Sequence, residues 1–183
     1  MERGARLLVL IAAGLVSSPV ASSAARTIET RDAALGRVFG PDARFEPRTV
    51  YLTAAQVDSV RVLAGPRFET PRFTYWRALR GDSLLGFAFL ETAVVRTMPA
   101  TWLIAVTPAG SVRTVEILAF HEPEDYLPRR RWLDHLVGKR LSKRLRPGGD
   151  VDGITGATLS ARAACDAVRR SLALTHILEV GVR

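Results

Sequence analysis

Cysteine is almost absent from this sequence: Cys165 is the only one among 183 residues. A single cysteine excludes an intramolecular disulfide, a c-type haem site and a cysteine-ligated iron–sulfur cluster. The glycine fingerprint of nicotinamide dinucleotide binding is also missing, so nothing in the sequence supports direct oxidation of NADH. Cys165 itself falls on the apolar side of a helical pattern, and we expect it to pack in the interior.

Long apolar runs are scarce as well. The run at residues 7–16 is apolar or small throughout, and it is too short to span a bilayer comfortably. It follows a charged start within residues 2–6 and precedes small residues at 20–25. This order is typical of a secretory signal, so we expect residues 1–25 to be an export signal that is cleaved near residues 23–25. An uncleaved membrane anchor is the alternative. Either way, the protein would lie in the periplasm or on the outer face of the cytoplasmic membrane.

Positive charge dominates the composition, with 26 Lys and Arg against 18 Asp and Glu and a formal net charge of +8. Much of the excess lies in two runs, at residues 129–131 and 139–146. Each run is either solvated surface or a docking face for an acidic partner. A location outside the cytoplasm argues against nucleic acid as that partner. The hydrophobic content of 48% is enough for one core, and we expect a single domain at residues 26–183.

The apolar patterns predict about four strands followed by a long helix. The strands are expected at residues 72–79, 84–95, 101–107 and 112–120. Short turns between them favour antiparallel pairing. Helical patterns occur at residues 31–39, 53–63, 130–137 and 161–177. We therefore predict an α+β fold, with an antiparallel sheet, flanking helices and a C-terminal amphipathic helix.

A glycine- and hydroxyl-rich run, DGITGATLS at residues 152–160, precedes the last helical pattern. Gly153 and Gly156 allow a tight turn and a close approach to a ligand. Thr158 or Ser160 is predicted to be the helix N-cap. A helix start favours phosphate, because its first amides have no partner within the helix and the helix dipole adds to the attraction.

This run resembles the attachment signature of FMN-binding domains, Asp-x-x-(Ser/Thr)-Gly-Ala-Thr-x-(Ser/Thr). Domains of this family occur in exported subunits of ion-pumping quinone reductases, in related ferredoxin-linked complexes and in smaller stand-alone proteins. There a flavin transferase joins FMN through a phosphoester to the last threonine of Gly-Ala-Thr. The resemblance implies a covalent FMN on Thr158 and covers about residues 75–174. The matching positions are Asp152, Thr155, Gly156, Ala157, Thr158 and Ser160.

Other residues could contribute to such a site. No His or Lys lies within ten residues of Thr158, so the base or metal that activates its hydroxyl is expected to come from a separate transferase. Arg162 is a candidate counter-charge for the phosphate. His121 and Tyr126 are the candidates to touch the isoalloxazine ring. The larger family members carry a His-x-Glu-Thr-Pro-Gly segment here, whereas this chain has His-Glu-Pro at residues 121–123. The alternative is that His121 caps a strand and the acids after it are solvated.

The resemblance implies an exported flavoprotein that transfers electrons between membrane or soluble redox partners. It would act either alone or as a subunit of an oxidoreductase. Its partners would be a flavin transferase and a redox protein or membrane complex. Two alternatives stay open: an exported non-redox domain whose basic face binds an acidic partner or a membrane, and a small reductase that holds FMN non-covalently.

Overall fold

The computed structural model describes residues 26–65 and 68–180. The predicted export signal at residues 1–25, with its cleavage site, lies outside the described residues. The helices and strands are, in chain order, β1 (Arg26–Thr27), α1 (Arg31–Phe39), β2 (Arg44–Tyr51), α2 (Ala54–Ala64), β3 (Arg72–Arg80), β4 (Ser83–Val94), β5 (Pro99–Val106), β6 (Val112–Phe120), α3 (Arg130–Leu133) and α4 (Thr158–Val180). Short 3₁₀ turns at Glu124–Tyr126 and Asp134–Leu136 flank α3.

Within the described residues, one antiparallel sheet of six strands organises the fold, in the order β1-β6-β5-β4-β3-β2. Strands β3 to β6 are the predicted meander, so the α+β class and the C-terminal helix are confirmed. The two edge strands, β1 and β2, were not predicted. β2 contains Pro47 among charged residues, and this composition hides a strand. An edge position tolerates it, because the missing N–H of proline breaks no ladder bond on the open side.

The alternation of side chains along β5 separates two apolar layers. Trp102 and Ile104 pack into the layer that contains side chains of α2 and α4. Leu103 and Ala105 pack into the layer that contains side chains of α1. All four side chains are fully buried. The sheet is therefore covered on both faces around its centre, which explains the nearly continuous apolar sequence of β5.

The predicted helix starts at α1 and α2 are present with their capping residues. At α2, the Gln56 N–H donates to Thr53 Oγ1 (3.3 Å) and the Thr53 N–H donates to Gln56 Oε1 (2.9 Å), and together the two bonds form a capping box. At α1, Thr30 Oγ1 accepts a bond from the Ala33 N–H at 3.3 Å. These side chains satisfy amides that a helix start leaves unpaired.

Helix α4 packs its apolar stripe against the sheet and α2. The buried stripe includes Ala161, Ala164, Val168 and Leu172. Cys165 lies in the same stripe, as predicted, and burial raises the pKa of its thiol to about 12. The thiol is therefore protonated at neutral pH and is a poor nucleophile. In the part of the chain that the structure describes, no helix has the length and apolarity needed to cross a bilayer.

Glu116 of β6 links three elements on the α1 side of the sheet. Its carboxylate accepts bonds from Arg130 Nη1 at 2.6 Å and from Thr114 Oγ1 at 2.9 Å, and it pairs with Arg37 Nη2 at 3.1 Å. Burial favours the neutral form of this carboxyl, but the bonds outweigh burial and lower the pKa of Glu116. The charged carboxylate thus ties α1 and α3 to the sheet.

The substitution Glu116→Gln is expected to lower the free energy of unfolding by about 2 kcal/mol, because two guanidinium groups lose a charged acceptor. The pKa of Glu116 is lowered in the folded state. Its contribution is therefore present above the unfolded pKa of about 4.3 and is lost as the pH falls through the folded-state pKa. Urea unfolding from pH 7 down to pH 2 measures both effects. Asp82→Asn, in an exposed turn, is the control, and a loss of stability that does not change with pH would contradict the assignment.

Candidate functional site

The first turn of α4 has no side-chain cap. The Ala161 N–H donates to the carbonyl oxygen of Ala157 at 3.1 Å, and Thr158 is the first helical residue, so Ala157 holds the N-cap position. The prediction that Thr158 or Ser160 is the N-cap is therefore wrong. The Thr158 hydroxyl instead donates to the carbonyl oxygen of Ile154 at 3.4 Å. The first three amides of α4 have no acceptor among the described residues.

This turn lines a cavity of about 310 Å³, together with Arg96, Tyr126, Gly156 and Ala157. The backbone of Gly156 has φ of +80°, in the left-handed region that side chains disfavour, and it turns the chain into the helix. Ser160 lines the cavity and is only 1% exposed. Its hydroxyl has no hydrogen-bond partner among the described residues. A buried hydroxyl without a partner, next to open amides, is typical of a site that receives a polar ligand.

Arg96 and Tyr126 line the cavity together with the helix start. The Arg96 guanidinium lies over the Tyr126 ring, with its central carbon 4.2 Å from the ring centroid. Arg96 belongs to the turn between β4 and β5, and Tyr126 belongs to the loop after β6. Arg96 is the one charged residue among those that line the cavity. The cavity is therefore electropositive and suited to an anion.

Glu122 fixes the turn that carries Arg96. One carboxylate oxygen, Oε1, accepts the N–H groups of Arg96 (2.9 Å), Thr97 (2.7 Å) and Met98 (2.8 Å). Burial favours the neutral acid, but the three N–H bonds and the Arg96 charge outweigh burial and lower the pKa of Glu122. Glu122 is only 7% exposed, so the alternative that the acids of this loop are solvated fails for Glu122. Among the described residues, no group of three or more His, Cys, Asp or Glu could hold a metal ion.

The loop before α4 is anchored through its backbone. The Trp132 indole N–H donates to the carbonyl oxygen of Asp152 at 2.8 Å. The Asp152 side chain is 90% exposed, and its carboxylate lies 4.0 Å from His135 Nδ1. The buried neighbour Val151 adds an apolar contact. Trp132 therefore holds the start of the run that leads to Thr158, whereas the Asp152 side chain faces solvent.

The structure brings five of the nine sequence-predicted site residues to the cavity: Tyr126, Gly156, Ala157, Thr158 and Ser160. The other four do not line it. Thr155 and Arg162 are exposed, and Asp152 contributes its carbonyl oxygen to Trp132. His121 is partly buried, and its backbone N–H donates to the Pro99 carbonyl oxygen at 3.2 Å. Whether any of the nine contacts a cofactor stays a prediction.

Sequence reasoning missed Arg96 at the cavity and the buried position of Glu122. Arg96 lies in a turn, far along the chain from residues 152–160, and a lone arginine in a turn carries no local signal. Its partner Tyr126 was predicted as a site residue because an aromatic ring can contact a flavin. Arg96 could be found only from the tertiary structure, in which the turn between β4 and β5 meets the loop after β6 at one end of the sheet.

Several arginines of the two basic runs make hydrogen bonds and ion pairs within the chain. Arg130 bonds to Glu116 and Asp134, Arg144 bonds to Asp150, and Arg140 donates to the carbonyl oxygen of Ala109. The other exposed residues of the two runs are Arg129, Arg131, Lys143 and Arg146. The surface available for an acidic partner is thus smaller than the sequence indicates.

Comparisons with known proteins find a sequence family and a solved structure that resemble this chain. A sequence model of the FMN-binding domain family matches residues 98–173, from the start of β5 into α4. Among solved structures, NqrC of Shewanella oneidensis matches with a TM-score of 0.53 and 14% sequence identity, over 76% of this chain and 85% of that chain. At this identity the likeness supports a shared fold. No curated protein matches the sequence. The match of residues 98–173 to the FMN-binding domain family agrees with the resemblance of the run at residues 152–160.

Proposed function

We propose that this protein carries FMN covalently on Thr158 and transfers electrons between redox partners outside the cytoplasm. The observation that carries the proposal is the position of Thr158, which opens an uncapped helix and lines an electropositive cavity within the family match. The match of residues 98–173 to the FMN-binding domain family supports a flavin as the ligand. The covalent attachment, the export and the partners are proposals.

The polar groups at the cavity fit a flavin phosphate. The first amides of α4 lack acceptors, the Ser160 hydroxyl lacks a partner among the described residues, and Arg96 brings a positive charge. No carboxylate side chain lines the cavity, so nothing there would repel a phosphate. Helix starts with open amides are common anion sites, and the dipole of the 23-residue helix α4 adds to the attraction.

Attachment would be a phosphoryl transfer to the threonine oxygen. The donor would be an activated flavin phosphoanhydride. Thr158 Oγ1 would form the bond to its flavin-side phosphorus, the anhydride bond would break, and the nucleotide half would leave with the electron pair. The hydroxyl proton would pass to a base. Because no His or Lys lies within ten residues of Thr158, that base belongs to a separate flavin transferase. The hydroxyl is exposed, held only by its bond to Ile154, so an enzyme could reach it.

When bound, FMN supplies one- and two-electron redox chemistry, and the chain supplies binding and orientation. Tyr126 offers an aromatic face at the cavity, although Arg96 already covers one side of its ring. A covalent tether suits an exported protein, because FMN lost to the surroundings could not be replaced. The exposed arginines and lysines of the two basic runs would attract an acidic redox protein or membrane complex.

The variant Thr158→Ala is expected to lose the flavin entirely, because the acceptor oxygen is gone. Produced together with a flavin transferase, the native protein should gain the mass of one FMN less one water and fluoresce on a denaturing gel. Thr70→Ala is the control, since Thr70 is exposed, lies outside the run at residues 152–160 and does not line the cavity.

Other outcomes separate the alternatives. Yellow protein that loses its colour on the denaturing gel would indicate non-covalent FMN. Colourless native protein whose binding to an acidic partner falls steeply with salt would indicate a non-redox domain. Retention of the fluorescent band by Thr158→Ala would show that another residue is the acceptor.

The variant Trp132→Phe tests whether the loop before α4 must be held for attachment. It removes the indole bond to Asp152 and is expected to lower the free energy of unfolding by about 1 kcal/mol. The looser loop should slow flavin incorporation without abolishing it, because Thr158 is unchanged. A time course of gel fluorescence and urea unfolding measure the two effects. Incorporation at the native rate would exclude a role of the anchor.

A further inference from the structure

We propose that Arg96 binds the phosphate of the attached flavin and that Glu122 positions Arg96 for this role. The inference rests on the proposed attachment at Thr158 and deepens it by naming the counter-charge. The sequence analysis named Arg162 as the candidate counter-charge, but Arg162 does not line the cavity. Arg96 does line it, together with the first residues of α4.

The Arg96 guanidinium lies over the Tyr126 ring, with its central carbon 4.2 Å from the ring centroid. A cation–π contact of this kind does not use the N–H groups as hydrogen-bond donors to an oxygen. A planar fork of donors matches the oxygens of a phosphate better than the point charge of a lysine does. Together with the open amides of α4, Arg96 would contact the phosphate from a second side.

The position of Arg96 is set by Glu122. Three consecutive N–H groups, at residues 96–98, converge on a single oxygen of this buried carboxylate. Such convergence holds the turn in one conformation and keeps the start of the Arg96 side chain beside Tyr126. Because these are backbone bonds, they do not occupy the guanidinium. Glu122 is thus a positioning residue, and Arg96 is the residue that would touch the ligand.

The test compares loaded with unloaded protein, made with and without a flavin transferase, by thermal unfolding at low and high salt. Loading is expected to raise the melting temperature of the native protein, and salt should reduce that rise. Arg96→Gln should lose most of the rise and its salt dependence, whereas Arg96→Lys should keep part of it. Arg162→Gln is the matched control and should behave as the native protein does.

Glu122→Gln should also lose most of the increase in melting temperature that flavin loading causes. The double variant Arg96→Gln with Glu122→Gln should lose no more of that increase than Arg96→Gln alone. Independent, additive losses would show that Glu122 acts on general stability and would overturn its positioning role. A full, salt-sensitive rise in Arg96→Gln would overturn the role of Arg96. If Arg96→Gln folds but takes up no flavin while Arg162→Gln does, the proposal is supported. If neither these variants nor the native protein takes up flavin, the attachment itself fails.

Discussion

The packing of α4 against the sheet is the constraint on which the site depends. Its alanine-rich stripe lets the helix lie close to the strands, and Arg170 pairs with Glu91 of β4 at 2.9 Å. Arg169 donates to the carbonyl oxygen of Leu63 at 3.1 Å, which ties α4 to the end of α2. These contacts fix the rotation and the axial position of the helix. Thr158, as its first residue, is consequently held at one place beside the turn that joins β4 and β5.

The molecule uses its charged groups in two distinct ways. Glu116 pairs with one arginine of α1 and one of α3 and so holds these helices on the sheet. These two arginines have a structural role. Glu122 instead binds only backbone N–H groups and leaves the Arg96 guanidinium at the cavity. At the same cavity, α4 starts with an alanine cap, and its first three amides have no acceptor among the described residues. The result is a cavity whose described lining has positive charge and hydrogen-bond donors but no carboxylate, which fits a phosphate.

Most of the fold could be predicted from the sequence, because the central strands and α4 have clear apolar patterns and α2 starts with a strong cap. β2 could not, since Pro47 and its charged neighbours resemble a loop, and only its edge position makes the strand acceptable. The start of α4 was misplaced because hydroxyl residues are the usual caps, whereas here the cap is Ala157. Arg96 was missed for another reason. Its proposed role depends on the contact between the turn that joins β4 and β5 and the loop after β6, and no local sequence pattern predicts that contact.

The central claim is that the first residue of α4 holds the flavin. Tandem mass spectrometry of the tryptic peptide that ends at Arg162, from protein produced with a flavin transferase, tests it most directly. The account predicts one flavin phosphate, located on Thr158. A modification located on Thr155 or Ser160, or an unmodified peptide from protein that is otherwise yellow, would contradict it.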